Sequence, residues 1–278
     1  MKALVYSSID PAGSGIAKSL LKILKYREAR LSKALRAWYV EDIDALLAEF
    51  NEDVIYFNFL DDVLPEAEYF IILSRHSASS GVKSLTVHHT GNPTNEALFG
   101  GNPYELAYSN PRISYSILTN ISKLAVNTLP DFKVVYEVTH HGPTNVKKPL
   151  TFVEIGSSEL EWSLSEAHET LAQAIIAALT NASPVECVPT VGFGGPHYAE
   201  QFTERALTLR ECYGHIISRY AINELTQHKE RLRDIALQAL ERNADKVEKV
   251  VITKMRSEDR TEIVNLCVQK NVSYVYVK

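Results

Sequence analysis

Long apolar runs are missing from this chain. The longest, Phe70 to Leu73 and Ala174 to Leu179, are far too short to span a bilayer. Met1 to Asp10 has neither the basic start nor the long apolar stretch of a signal peptide, so a cytoplasmic protein with no membrane partner is expected. Cysteine is scarce: Cys187, Cys212 and Cys267 lie far apart without a CxxC pair, which argues against a thiolate zinc site and predicts three buried free thiols. Also absent are a GxSxG elbow, an HExxH motif and a P-loop ending. There is no internal repeat, low-complexity stretch or clear linker, so one domain spanning 1–278 is the default, with 245–278 a C-terminal extension or small subdomain. A net charge of −5 excludes a protein that coats nucleic acid non-specifically, because such binding needs many cations.

Hydrophobic residues make up 45% of the 278 positions, enough to bury a substantial core. The charge is unevenly spread. Lys18, Lys22, Lys25, Arg27, Arg30, Lys33 and Arg36 are opposed within their segment only by Glu28, as a solvated helix face or a phosphate-contacting patch would require. Met1 to Ile9 reads as a strand entering a helix through Gly13-Ser14-Gly15, a turn that could offer backbone N–H groups to an anion. Further strands are expected at Val54 to Phe57, Tyr69 to Leu73, Leu85 to Val87, Lys133 to Val138, Thr151 to Ile155 and Cys187 to Val191. Helices are expected at Arg112 to Thr128, Ser165 to Asn181, Tyr198 to Leu209 and Asn223 to Asn243, and from Ser257 before an alternating Val272 to Val277. This alternation predicts an α/β fold with a mostly parallel or mixed sheet and helices on both faces.

The informative residue is histidine. Six of nine fall just after expected strands or in the Gly-rich turns that follow: His76, His88-His89, His140-His141 and His197. In an open α/β sheet the strand ends feed one edge, where ligands bind. Three segments repeat a grammar of imidazole beside Gly and Pro: His88-His89-Thr90-Gly91-Asn92-Pro93, His140-His141-Gly142-Pro143 and Gly194-Gly195-Pro196-His197. Such turns bring backbone close to a ligand. Glu137 and Glu154 stand beside them. Because neighbouring strand residues face opposite ways, each His pair should send one ring to the site and one into packing, which one being open. A lone histidine is more often a hydrogen-bonded core residue, but the set reads as functional. His and Glu around an open position suit catalytic zinc, while His pairs equally suit acid–base work or phosphate binding. Arg75 could hold a phosphate or carboxylate, or form a structural ion pair. Thr90 is a nucleophile candidate ranked below water. His215 is a weaker site candidate, His168 and His228 read as exposed, and Trp38 and Trp162 read as core anchors.

At these residues the sequence resembles the archaeal and plant type of D-aminoacyl-tRNA deacylase. The carrying segments are Ser74 to Ser77, Gly81 to Asn92, Tyr136 to Thr144, Phe152 to Ser157, Gly192 to Tyr198 and Gly214 to Ile216, in that order. The resemblance implies a zinc-dependent monomer with a phosphorylase/peptidase-like hydrolase architecture that cleaves the ester between a D-amino acid and tRNA. Combined with the motifs, it implies zinc held by some of His89, His140, His141, Glu154 and His197. His88 or Glu137 would be base or orienter, and Gly194 and Gly195 would bind the oxyanion. Arg75, His76 and the basic Lys18 and Lys22 would contact the aminoacyl-tRNA. Competing readings are a metallo-carboxypeptidase or amidohydrolase, a nucleoside phosphorylase-type reaction, and a non-catalytic tRNA-binding or chaperone-like protein.

Overall fold

Strand β1 (Lys2–Ser7) feeds helix α1 (Pro11–Ile23) through Asp10, whose carboxylate caps the helix by accepting from the Gly13 amide. The computed structural model describes residues 1–180, 185–226 and 228–277. After α1 come the hairpin β2 (Tyr26–Ala29) and β3 (Arg36–Val40), then β4 (Ala45–Phe50), the short α2 (Leu60–Val63), β5 (Tyr69–Ser77) and β6 (Ser84–His88). A small ribbon, β7 (Gly91–Asn92) with β8 (Glu105–Leu106), precedes α3 (Pro111–Thr128), β9 (Lys133–Tyr136) and β10 (Leu150–Ser157). The chain continues through α4 (Glu159–Trp162), α5 (Ser165–Thr180), β11 (Val188–Phe193), α6 (Glu200–Leu209) and β12 (Glu211–Ile217). It closes with α7 (Arg219–Leu225), α8 (Lys229–Glu241), β13 (Lys249–Ile252), α9 (Ser257–Lys270) and β14 (Ser273–Tyr276).

The fold is α/β, as expected, but two principal sheets share the strands. An eight-stranded mixed sheet runs β2-β3-β4-β1-β5-β10-β6-β9, and a separate parallel sheet runs β12-β11-β13-β14. The tail thus forms one edge of the second sheet. The largest buried cluster joins both, taking Leu73 and Val153 from the first and Tyr213 and Val251 from the second. Among the described residues no helix is long and apolar enough to cross a membrane.

Several expectations are corrected. Val54 to Phe57 is no strand: Val54–Tyr56 is a 3-10 turn, with Asp53 accepting from the Ile55 amide and Val54 and Phe57 buried three residues apart. The helix from Asn223 to Asn243 is two helices, and Asn181, at the end of another expected helix, lies outside the described residues. Only Lys18 and Lys22 of the basic segment are helical; the rest occupies the β2–β3 hairpin and its flanks. Cys187 and Cys212 are not free thiols but a disulfide, because parallel pairing of β11 with β12 sets Pro189 opposite Cys212. Closing a loop of 25 residues contributes roughly 3 kcal/mol. Cys267 is a buried free thiol, as expected.

Candidate active site

Pairing of β5, β10 and β6 places three functional side chains on one face of the large sheet. His76 lies opposite Gly156, Ser74 opposite Glu154, Thr86 opposite Glu154 and His88 opposite Phe152, so His76, Glu154 and His88 share that face. Beyond β9 the chain brings in Glu137, whose backbone bridges to Tyr198, and then the turn His140-His141-Gly142. Gly142 is required there: a Cβ would stand 2.4 Å from the Gly101 amide nitrogen. These segments wall a cavity of about 950 Å³ at the carboxyl end of β5, lined by Arg75, His76, His140, His141, Glu154 and His197 among others.

The convergence is close. Ring centroids of His140 lie 4.4 Å from His88, 4.4 Å from His141 and 4.8 Å from His197. Glu137 Oε2 is 3.0 Å from His197 Nε2 and 3.4 Å from His140 Nε2, while its Oε1 is 3.1 Å from His76 Nδ1. Glu154 Oε2 lies 3.5 Å from His88 Nε2 and 3.6 Å from His76 Nδ1. Phe152 floors the site, its ring 5.1 Å from His88 and 5.0 Å from His141.

Two buried carboxylates require compensating positive charge. Burial alone would raise both; contact with His197 and other imidazoles holds Glu137 below the usual range, and His76 and His88 do the same for Glu154. Burial pulls His76 and His88 down, yet the facing carboxylates outweigh it and raise both. His140 is pushed well below its ordinary value, and His141 to about 4, by burial and by neighbouring imidazoles. The carboxylates thus favour a positive charge, proton or metal, beside His76 and His88, while burial and crowding favour the neutral form of His140 and His141.

The donors also fit a cation. His140 Nδ1 faces the Val138 carbonyl at 2.8 Å, His141 Nδ1 the Gly142 carbonyl at 2.6 Å and His88 Nδ1 the His89 carbonyl at 3.3 Å. With Nδ1–H donated to a carbonyl, each neutral ring keeps its lone pair on Nε2. His88 Nε2 and both Glu137 oxygens are buried without a hydrogen-bond partner, although their neighbours stand at contact distance. Lone pairs that converge without bonding one another suit a shared positive ion. His88, His140 and His141 form one set whose ligand atoms lie within 4.8 Å of each other; His76, Glu137 and His197 form another, and His88, Glu137 and Glu154 a third.

Other sequence candidates lie elsewhere. His89 points away, its Nδ1 2.8 Å from the Leu150 carbonyl and its pKa lowered to about 3 by burial and by His215. Thr90 is fully buried and donates its hydroxyl to the Pro143 carbonyl at 2.6 Å, leaving it no role as nucleophile. The Gly194 amide is spent on the Ile217 carbonyl at 2.7 Å, and the Gly195 carbonyl accepts from the Arg219 amide. Both glycines have positive φ, 107° and 81°, as the turn requires. His215 is buried between Thr139 and the Ala107 carbonyl. Lys18 and Lys22 line a separate groove with His168, which is half-buried against the Trp162 carbonyl. Gly13 opens no anion site at the head of α1; it lets the helix touch β5, where a Cβ would meet the Leu73 carbonyl at 2.4 Å.

Arg75 does reach the mouth, held by the Ile9 carbonyl at 3.1 Å and Asp53 at 3.3 Å, with its guanidinium over Trp162. Trp162 in turn donates to the His76 carbonyl at 2.9 Å, so it props the site. Sequence reasoning passed over Tyr198, whose hydroxyl lies 3.1 Å from His76 Nε2. Its place directly after His197 in the Gly-Gly-Pro-His-Tyr turn was the available signal.

The chain is similar to known proteins over nearly its whole length. A family model described as D-aminoacyl-tRNA deacylase matches residues 63–275. A D-aminoacyl-tRNA deacylase of Desulfurococcus amylolyticus is 40% identical, covering 100% of both chains. One of Staphylothermus marinus is 45% identical over 80% of this chain and 81% of its own. A crystal structure titled as a conserved protein of unknown function aligns with a TM-score of 0.89 at 31% identity, covering 99% of this chain and 95% of that one.

Proposed function

This chain belongs to the D-aminoacyl-tRNA deacylase family, and from that premise we propose that its His–Glu cavity hydrolyses the ester joining a D-amino acid to tRNA. The observation that carries the reading is the convergence of His88, His140 and His141 Nε2 beside the unpartnered carboxylate of Glu137.

Those three imidazoles would hold a zinc ion, a borderline-soft metal suited to nitrogen donors, and bound zinc supplies a polarised carbonyl and water of lowered pKa. The protein's own groups do the rest. His197, which lines the cavity, takes the proton of the attacking water, and Glu137, sealed from solvent 3.0 Å behind it, orients the ring and balances its charge. His76, fixed between Glu137 and Tyr198, offers a proton to the departing ribose hydroxyl. Glu154 orients His88 and His76 from beneath. Arg75 at the mouth meets a phosphate of the terminal nucleotide. In this reading the metal-binding role falls to His88 rather than His89.

Incubation with matched D- and L-aminoacyl-tRNAs tests the reading. Release of the D-amino acid in steady-state turnover is expected; absence of turnover on the D-ester would overturn it.

A further inference from the structure

Seven of the chain's 29 lysines and arginines fall between Lys18 and Arg36, against one of its 34 acidic residues. The fold divides them. Lys22 on α1 faces Glu169 at 3.5 Å, whereas Lys25, Arg27, Arg30, Lys33 and Arg36 are exposed on or beside the edge hairpin β2–β3. Of these five side chains, only that of Arg36 has a carboxylate partner among the described residues, the buried Glu49.

The hairpin is firmly built. The Leu35 amide donates to the Glu49 carbonyl at 2.8 Å, and the Ala34 amide to the Leu31 carbonyl at 3.3 Å. Lys33 takes φ 63° at the turn and sets its ammonium 5.5 Å from the Phe59 ring, itself packed 5.1 Å from Phe50. Cations lie against aromatic rings on both faces of the hairpin: Arg27 is 4.6 Å over Tyr39 on one face, Arg36 is 5.5 Å over Trp38 on the other, and Tyr26 is exposed. Such pairing of cations with rings suits a phosphate backbone with unstacked bases.

Register sets this turn at the same edge of the large sheet as the cavity, beyond the carboxyl ends of β4, β1 and β5. Arg36 pairs with Glu49, Glu49 with Tyr6, and Tyr6 with Leu73, so one row crosses from the hairpin to the carboxyl end of β5. Three strand spacings of about 4.8 Å, roughly 14 Å in all, separate Arg36 from Leu73 along that row, and Arg75 and His76 follow Leu73 on the same strand. A few nucleotides cover that distance.

We propose that the β2–β3 hairpin docks the single-stranded 3′ end of the RNA substrate, Arg27, Arg30 and Lys33 holding its phosphates while the esterified terminal nucleoside enters the cavity. The proposal rests on the hydrolase reading of that cavity. Cations massed on a chain of net −5 are then directed at a polyanion rather than spread for solubility. The competing use of charge, guarding an exposed sheet edge against pairing with other chains, would need no RNA.

The test is the full chain carrying Arg27→Gln, Arg30→Gln and Lys33→Gln together, assayed across a salt series on D-aminoacyl-tRNA and on the D-aminoacyl ester of adenosine. With tRNA, KM should rise about tenfold or more at unchanged kcat, and the dependence of log KM on log salt should flatten by about 2, from roughly 0.7 per single-strand phosphate contact. Kinetics on the adenosine ester should match those of the unsubstituted chain. Unchanged KM and salt dependence with tRNA would overturn the proposal and leave the cations as edge guards. Equal loss on both esters would also overturn it, placing the effect in the cavity or the fold. If the unsubstituted chain hydrolyses neither ester, the cavity reading fails; weaker retention of tRNA by the triple variant then still supports the surface, and equal retention refutes it.

Discussion

His197 Nε2 stands 3.0 Å from Glu137 Oε2, a half-exposed imidazole on a carboxylate that is itself sealed from solvent. The pair joins the interior of the site to the open cavity, as a base and the group that orients it would require.

Removing either partner should therefore cost catalysis before stability. Glu137→Gln and His197→Ala are each expected to lower kcat by about 10² to 10⁴, the range for loss of a general base or the group that orients it. KM should change little. Steady-state kinetics with a thermal unfolding curve check this; a variant that unfolds early or keeps normal kcat would contradict the role.

Zinc content should follow the three imidazoles. His140→Ala and His141→Ala are expected to bind zinc at least about tenfold more weakly than the unsubstituted chain, with His89→Ala unaffected. Chelation should abolish ester hydrolysis, and added zinc should restore it. Metal analysis by mass spectrometry and titration with a zinc indicator read this out. Full activity in a chain stripped of metal would leave the imidazoles as acid–base groups alone.

Acid should loosen the second sheet through Glu211. Its carboxylate accepts from Arg205 at 2.7 and 2.6 Å, from Tyr213 at 2.6 Å and from Lys249 at 3.0 Å. Burial would raise its pKa, but Arg205, Tyr213 and Lys249 together hold it below the ordinary value. A group depressed in the folded state lends stability above its unfolded pKa of about 4.5, and that stability is lost as pH falls through the folded value. Glu211→Gln should thus cost about 2–3 kcal/mol at pH 7, with the gap to the unsubstituted chain closing below about pH 4. Urea midpoints across pH check it; a gap constant down to pH 3 would contradict it.

Much of this was legible in the sequence because the rules in play were local. Alternating strands and helices gave the fold class, and placing His76, His88, His140 and His197 at strand ends brought them to one edge. Alternation correctly split His88 from His89, since both ride on or just past β6. It failed for His140 and His141 because β9 ends at Tyr136 and His141 sits in a turn at φ 44°, where no two-residue period applies. Which of His88 and His89 faces inward depends on pairing with β10, a partner over sixty residues away. The Cys187–Cys212 disulfide depends likewise on β11 lying beside β12, which no spacing rule encodes. Strand β2 hid because a charged edge strand, Tyr26–Ala29, lacks the apolar pattern that marks a strand.

The sharpest measurement compares D-aminoacyl-tRNA hydrolysis by His88→Ala with that by His89→Ala, adjacent residues facing opposite ways. His88→Ala is expected to lose activity by at least about a hundredfold while keeping its fold, and His89→Ala to keep kcat while unfolding more readily, by about 2 kcal/mol, for want of its bond to Leu150. The reverse outcome, an active His88→Ala beside a folded but inactive His89→Ala, would show that the chemistry lies on the other side of the sheet.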